Sequence, residues 1–214
     1  MAAQMDVTTL RNKTWSTQNV HNQYSDANAH SDLYRFINMW SDMGMYLNVG
    51  YTRAWQRHNT TKNHLRLIDR LADGLLNIRP SYHQNDNLLV DIASGRGGAA
   101  IRAQQKYDLN VVGIDFTEFN SRQADKNART LHVWPKVRFS MGDAHVLPLK
   151  SQSVSLAWSI ESPAHFDDKK QFLGEVSRVL KPGGVFALTD LLVVEPVATD
   201  SPEHEKIYHD FLGV

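Results

Sequence analysis

Leu88-Leu89-Val90-Asp91-Ile92-Ala93-Ser94-Gly95-Arg96-Gly97-Gly98-Ala99-Ala100-Ile101 is the stretch on which the reading of this chain turns. The apolar run Leu88 to Ile92 has the length and the bounding turn signals of a strand buried on both faces. Gly95 and Gly97 allow positive φ and let backbone approach a ligand with no Cβ in the way. The helix that opens at Gly98 points free N–H groups and the positive end of its dipole at whatever lies over the turn. Such a turn suits a nucleotide-like ligand, with the Asp91 carboxylate beside it. A glycine turn that merely joins strand to helix explains the same residues without a ligand.

Outward from this stretch, strands and helices alternate. A helix from Gly98 to Tyr107 precedes an apolar strand at Val111 to Asp115, and a helix from about Glu118 to Leu131 precedes a strand at Val137 to Met141. Ser153 to Ile160 is the fourth strand. Asp168 caps a helix carrying Phe172, Val176, Val179 and Leu180, which Lys181-Pro182-Gly183-Gly184 breaks before a fifth strand at Val185 to Val193. Ser201-Pro202-Glu203 starts a last helix. This order predicts an α/β, doubly wound, mostly parallel sheet covered on both faces. Upstream, Ser31 caps a helix with Leu33, Phe36, Ile37 and Trp40 on one face, and Asn63 to Asn77 is amphipathic with Leu65, Ile68, Leu71, Ala72 and Leu75 inward. Residues 1–80 are thus read as a helical N-terminal segment, and 81–214 as the sheet core of a single domain.

Bulk properties narrow the function. Lys plus Arg and Asp plus Glu each number 23, so no net charge attracts nucleic acid or an anionic membrane. The chain has no cysteine, which excludes disulfides, thiolate metal sites and a cysteine nucleophile and fits a cytoplasmic protein. Met1 to Trp15 lacks the apolar centre of a signal peptide, and no run reaches the length of a membrane span. His204 and His209 are spaced poorly for two ligands on one helical face, and no metal site is expected.

In such a sheet a ligand sits outside the carboxyl ends of the strands. Asp91, Asp115, Gly142-Asp143-Ala144 and Ser159-Ile160-Glu161 all fall there. Asp115 lies about 20 residues beyond the glycines, where a carboxylate takes ribose hydroxyls. Phe116 is placed to cover one face of a purine, Asp143 to accept from an exocyclic amine, and the Ala144 N–H to donate to a ring nitrogen.

Val90-Asp91-Ile92-Ala93-Ser94-Gly95-Arg96-Gly97-Gly98, Gly113-Ile114-Asp115, Gly142-Asp143-Ala144 and Val179-Leu180-Lys181-Pro182-Gly183-Gly184 together resemble the class I S-adenosylmethionine-dependent methyltransferases. Trp158-Ser159-Ile160-Glu161-Ser162-Pro163-Ala164-His165-Phe166 and Leu47-Asn48-Val49-Gly50-Tyr51 resemble the tocopherol, sterol and natural-product branch, which acts on small molecules. The resemblance covers about residues 20 to 195. It implies a Rossmann-like fold with an N-terminal helical lid. It also implies that Asp91, Ala93, Gly95 and Gly97 hold the methionine part of S-adenosylmethionine, with Ser159 near the amino group through its backbone. Asp115 and Asn120 are implied for the ribose, and Phe116, Asp143 and Ala144 for the adenine. Ala93-Ser94 stands where the family usually has Gly-Cys. A nicotinamide dehydrogenase normally places its glycine turn near the start of its domain, whereas here a helical, aromatic segment comes first.

A sulfonium methyl is already activated, so the protein must align nucleophile, carbon and sulfur and exclude water. Tyr24, Tyr46 and Tyr51, with Trp40 and Trp55, are read either as lid aromatics facing a cation or as core filler of the N-terminal helices. A general base is needed only for a protonated acceptor; His165 is the first candidate and Glu161 the second. Relatives usually continue past the fifth strand with a helix and two further strands. If these 214 residues are the whole product, an apolar edge is left for a second copy or a partner chain to cover. The expected function is methyl transfer to O, N or C of a small or lipid-like acceptor; the alternative is a methyltransferase-like subunit that works by association.

Overall fold

The computed structural model describes Met45 and residues 60–78 and 87–190. The expected lid residues Tyr24, Tyr46, Tyr51, Trp40 and Trp55, the helix after Ser31, the helix after Ser201 with His204 and His209, and the end of the fifth strand lie outside the described residues.

Helix α1 (Thr60–Ile78) buries Ile68, Ala72 and Leu75 on one face, as the three- and four-residue spacing of its apolar positions predicts. Each large aliphatic side chain so removed from water contributes roughly 1.5–3 kcal/mol. β1 (Leu88–Ile92), α2 (Gly98–Tyr107), β2 (Asn110–Asp115), α3 (Glu118–Thr130), β3 (Val137–Met141), β4 (Val154–Ile160), α4 (Lys169–Val179) and β5 (Leu180–Thr189) follow. The five strands form one parallel sheet in the order β3-β2-β1-β4-β5. β1 and β4 are almost wholly buried because helices cover both faces, which explains their unbroken apolar runs. On one face Leu89, Val111, Leu156 and Trp158 pack with Ile68 and Leu75 of α1 and Ile101 of α2. On the other, Val90, Ile92, Ile114 and Ala157 pack with Phe172, Val176 and Val179 of α4.

Two side-chain devices hold the helices in place. The Asp168 carboxylate accepts from the Gln171 N–H at 2.8 Å, the cap expected for α4. Asp69 of α1 accepts from both arms of the Arg102 guanidinium at 2.9 Å and meets the Lys106 ammonium at 2.8 Å, pinning α1 to α2. Burial works to raise the Asp69 pKa, but Arg102 and Lys106 outweigh it and hold the carboxyl below its usual range.

The fifth strand departs from expectation at its start. Leu180 is not the last residue of the helix; it takes extended backbone and pairs with Val154. Pairing resumes at Val185 opposite Leu156. Lys181-Pro182-Gly183-Gly184 is therefore looped out within the strand, rather than a break before it. Pro182 has no N–H for the ladder and Gly183 adopts φ 76. A Cβ on Gly184 would lie 3.0 Å from the Lys181 carbonyl oxygen and 3.2 Å from that of Ser155, so the loop closes tightly against backbone there.

Candidate functional site

The strand order reverses direction on either side of β1, so the crevice opens beyond the carboxyl ends of β1, β2 and β4. The turn after β1 is held by backbone bonds: the Ser94 N–H donates to the Ile114 carbonyl at 3.1 Å, and the Gly97 N–H to the Ser94 carbonyl at 3.0 Å. Ala93, Gly95 and Gly97 all have positive φ. For Ala93 and for Glu161 (φ 51) this is a strained choice, and both line the same cavity.

Asp115, at the end of β2, is the hub of the site. Its Oδ2 accepts from the Gly95 N–H at 2.8 Å; its Oδ1 accepts from the Thr117 N–H and hydroxyl, each at 3.0 Å, and from Asn120 Nδ2 at 3.2 Å. Burial still pushes its pKa up, against these donors. Asp91 lies beneath the turn, 2 % exposed, and its Oδ2 has no hydrogen-bond partner. Burial raises its pKa to about 7 and the Asp115 charge adds to the rise, while the Trp158 indole N–H and the Ala100 backbone N–H oppose it. Asn120 Oδ1 is a second buried acceptor with no partner.

Two cavities meet here. The larger is a cleft of about 790 Å³, solvent at its mouth included, and is lined by Asp91, Ala93, Gly95, Asp115, Phe116, Asn120, Glu161 and His165 among the residues expected from sequence. The smaller, about 450 Å³, is lined by Asp143 and Ala144 and shares Ala93, Phe116, His165 and Phe166 with the first. Two expected residues line neither. Gly97 turns toward the sheet, where a Cβ would lie 2.5 Å from Phe139 Cζ and 3.0 Å from Ala124 Cβ; it serves close packing of α2 and α3 on β3. Ser159 is fully buried, its hydroxyl 2.6 Å from that of Ser162.

His165 ends a short 3₁₀ turn (Pro163–His165) and faces both cavities. Burial, helped by the Lys169 charge, pushes its pKa down to about 4. The imidazole is thus neutral across the physiological range and holds a proton poorly, a weak basis for a general base.

Thr117, Ser162, Phe166 and Met45 also line the larger cavity and were not anticipated. Thr117 was legible: an acid two residues before a threonine is the spacing of an Asx-type turn, and here the hydroxyl serves Asp115 instead of capping α3. Met45, 6 % exposed, had no local signal. Among the described residues there is no cluster suited to a metal ion, and no helix long and apolar enough to cross a membrane.

The arrangement fits a cationic nucleoside with an amino-acid tail. An unpaired buried carboxylate oxygen at Asp91 suits an ammonium group, and Asp115 Oδ2 with Asn120 Oδ1 suits hydroxyl donors. Residues 90–188 match the family described as "Methyltransferase domain". The 27-O-demethylrifamycin SV methyltransferase of Amycolatopsis mediterranei (strain S699) is 34% identical over 173 residues, covering 80% of this chain and 60% of that protein. The sterol 24-C-methyltransferase erg6 of Aspergillus fumigatus is 31% identical over 119 residues, covering 56% of this chain and 32% of its own length. A geranyl diphosphate methyltransferase solved in complex with SAM superposes with a TM-score of 0.55 at 25% identity, over 61% of this chain and 50% of that one. The [4+2]-cyclase SpnF shares the fold, with a TM-score of 0.69 at 23% identity over 88% and 66% of the two chains. The chain spans 60% of the length of the first relative.

Proposed function

We propose that this chain, whose residues 90–188 match the methyltransferase-domain family and which is 34% identical to a methyltransferase over 173 residues, is an S-adenosylmethionine-dependent methyltransferase that transfers a methyl group to O, N or C of a small-molecule or lipid-like acceptor by in-line displacement. The observation that carries this reading is the buried, unpartnered Asp91 Oδ2 beside a cavity that Asp115 also lines. When bound, the cofactor supplies an electrophilic methyl on a sulfonium centre. Asp91 accepts from its amino group, and the turn through Ala93 and Gly95 shapes the place of the methionine part. Asp115 and Asn120 accept from the ribose hydroxyls. Phe116 covers the adenine face, while Asp143 and the Ala144 N–H take its edge.

The shared wall of His165 and Phe166 places these residues between the two cavities, where an acceptor would approach. His165, neutral at physiological pH, orients an acceptor rather than ionising it; Glu161 is the alternative proton acceptor. Met45 lines the larger cavity, and a lid role for Tyr24, Tyr46 and Tyr51 belongs to the same proposal. Action in the cytoplasm belongs to the same proposal.

Isothermal titration of the full chain with S-adenosylhomocysteine tests the reading, with NAD as control. One-site heat with the first and none with the second is expected, followed by transfer of labelled methyl to a panel of phenols, sterols and amines. Heat with NAD alone, or with neither, overturns it.

The second reading, a subunit that works by association, draws on β5. Among the described residues β5 is an edge strand, largely half-buried, and its Leu188 is 45% exposed. A second copy or a partner chain covering this edge predicts a dimer or complex by light scattering; a monomer that methylates at full rate removes it.

A further inference from the structure

We propose that His145 is a positioning residue: it fixes the Asp143 carboxylate at the rim of the smaller cavity and thereby sets selectivity for a 6-amino purine over a 6-oxo purine. This rests on the reading that Asp143 accepts from the exocyclic amine of the cofactor.

His145 sits in the loop after β3 and lines the smaller cavity with Asp143. One oxygen of Asp143, Oδ1, takes two donors from it: the His145 N–H at 2.8 Å and ring Nδ1 at 2.8 Å. The other ring nitrogen, Nε2, faces the backbone N–H of Asp168 at 3.4 Å, a long contact in which it can only accept. A neutral imidazole has one donor and one acceptor. The Asp143 carboxylate, which only accepts, therefore calls for the tautomer with its proton on Nδ1, and the Asp168 N–H is consistent with a bare Nε2.

The ring is held from its other sides as well. It stands edge-on to Phe166 at 5.7 Å, and Phe166 in turn packs on Phe172 at 4.6 Å. The His145 carbonyl accepts from Gln171 Nε2 at 3.0 Å. His145 is thus clamped between α4 and the wall shared by both cavities.

A partly exposed contact of this kind adds little to stability. Its effect is orientational. The Asp143 side chain is 42% exposed, and a carboxylate on a loop at that exposure otherwise rotates among rotamers. With Oδ1 taken twice, Oδ2 is the oxygen left for a ligand donor, in a fixed direction. An exocyclic amine satisfies it. A carbonyl at the same place sets two acceptors against each other. An Asp143 held only by the backbone N–H of residue 145 escapes that clash by turning toward the ring N–H of a 6-oxo purine; one held by both donors does not.

The test titrates S-adenosylhomocysteine and S-inosylhomocysteine into the full chain and its variants. The unmodified chain is expected to prefer the adenine compound by about tenfold or more, the scale of one mispaired polar contact. His145→Ala narrows the preference to within about threefold. His145→Asn, whose amide nitrogen stands where Nδ1 stood, keeps it; His145→Gln, whose amide stands at the position of Nε2, behaves like alanine. A merely structural role lowers the melting temperature of the variants and leaves the ratio unmoved. If the unmodified chain discriminates and His145→Ala or His145→Gln still does, the role assigned to His145 is wrong. If the unmodified chain binds neither compound, or both equally, the adenine-edge reading of Asp143 fails and this proposal falls with it.

Discussion

Asp91 and Trp158 are register partners on the neighbouring parallel strands β1 and β4, both buried on the face covered by α1 and α2, and each keeps a polar atom without a hydrogen-bond partner. Two unsatisfied groups side by side in a well-packed core are costly, of order 1–3 kcal/mol each. The indole N–H faces the Asp91 carboxylate, and Asp91 Oδ2 remains an acceptor that a ligand's donor completes.

The first prediction concerns Asp91. Its pKa in the folded chain is raised to about 7, so the folded state binds the proton more tightly than the unfolded state. The cost is absent below the unfolded carboxylate pKa, grows as pH rises, and is complete above about 7, at roughly 4 kcal/mol as an upper bound. Asp91→Asn is therefore expected to stabilise the ligand-free chain at pH 8 and to change little near pH 4, in urea denaturation at both values. The same variant weakens S-adenosylhomocysteine binding about 100-fold, for loss of a charge-assisted contact. Equal stability gains at both pH values would remove the buried carboxylate from this account.

Binding should also release a proton. An ammonium group drawn to Asp91 favours its ionised form, so titrations at pH 6.5 in buffers of different ionisation enthalpy should show proton release that vanishes in Asp91→Asn. No buffer dependence means that the carboxylate does not meet the cation.

Asp115→Ala removes the acceptor for four donors in the chain and, on the proposed reading, for the ribose. Cofactor binding should weaken by ~1.5–3 kcal/mol. Thr117→Val, which deletes only the hydroxyl at 3.0 Å, should cost about 1 kcal/mol of stability and a smaller part of the affinity. An unchanged dissociation constant in Asp115→Ala counts against the ribose placement.

Gly97→Ala meets two obstacles: φ 85, and a Cβ 2.5 Å from the Phe139 ring. Left-handed backbone costs an alanine roughly 1 kcal/mol, and overpacking a tight contact about 1–3 more. A fall of that size in unfolding free energy is expected, and Phe139→Leu, which relieves the ring contact but not the backbone cost, should make the double variant less destabilised than the sum of the two single changes.

For His165, a pKa near 4 predicts that the pH profile of turnover shows no limb near 6.5 from this residue. His165→Gln should lower kcat while leaving the shape of the profile unchanged. A limb near 6.5 that disappears in the variant would make His165 the general base after all.

Much of this was legible from sequence because the informative residues lie at strand ends, where chain direction alone places them. Asp91, Asp115 and Asp143 terminate or follow β1, β2 and β3, and a parallel sheet brings its carboxyl ends together whatever the helices do. Gly97 shows the limit. A glycine after a strand announces positive φ, but not whether its open side faces a ligand or, as here, the Phe139 ring. The loop-out at Lys181-Pro182-Gly183-Gly184 was read as a break because Pro and Gly punctuate locally, while the pairing of Leu180 with Val154 is decided across the sheet. His145 was passed over for the same reason: its partner Asp143 is two residues away, but Asp168 and Phe166 reach it only through the fold.

The hydrogen bond from the Gly95 N–H to Asp115 ties the glycine turn to β2 before any ligand arrives. A receptor assembled in advance spends little ordering on capture, but it also grips whatever shares the same nucleoside. On the proposed reading, reactant and spent product share the nucleoside that this turn would hold and differ only at sulfur, in one methyl and its positive charge. The demethylated product would then compete with the reactant for the same preassembled turn.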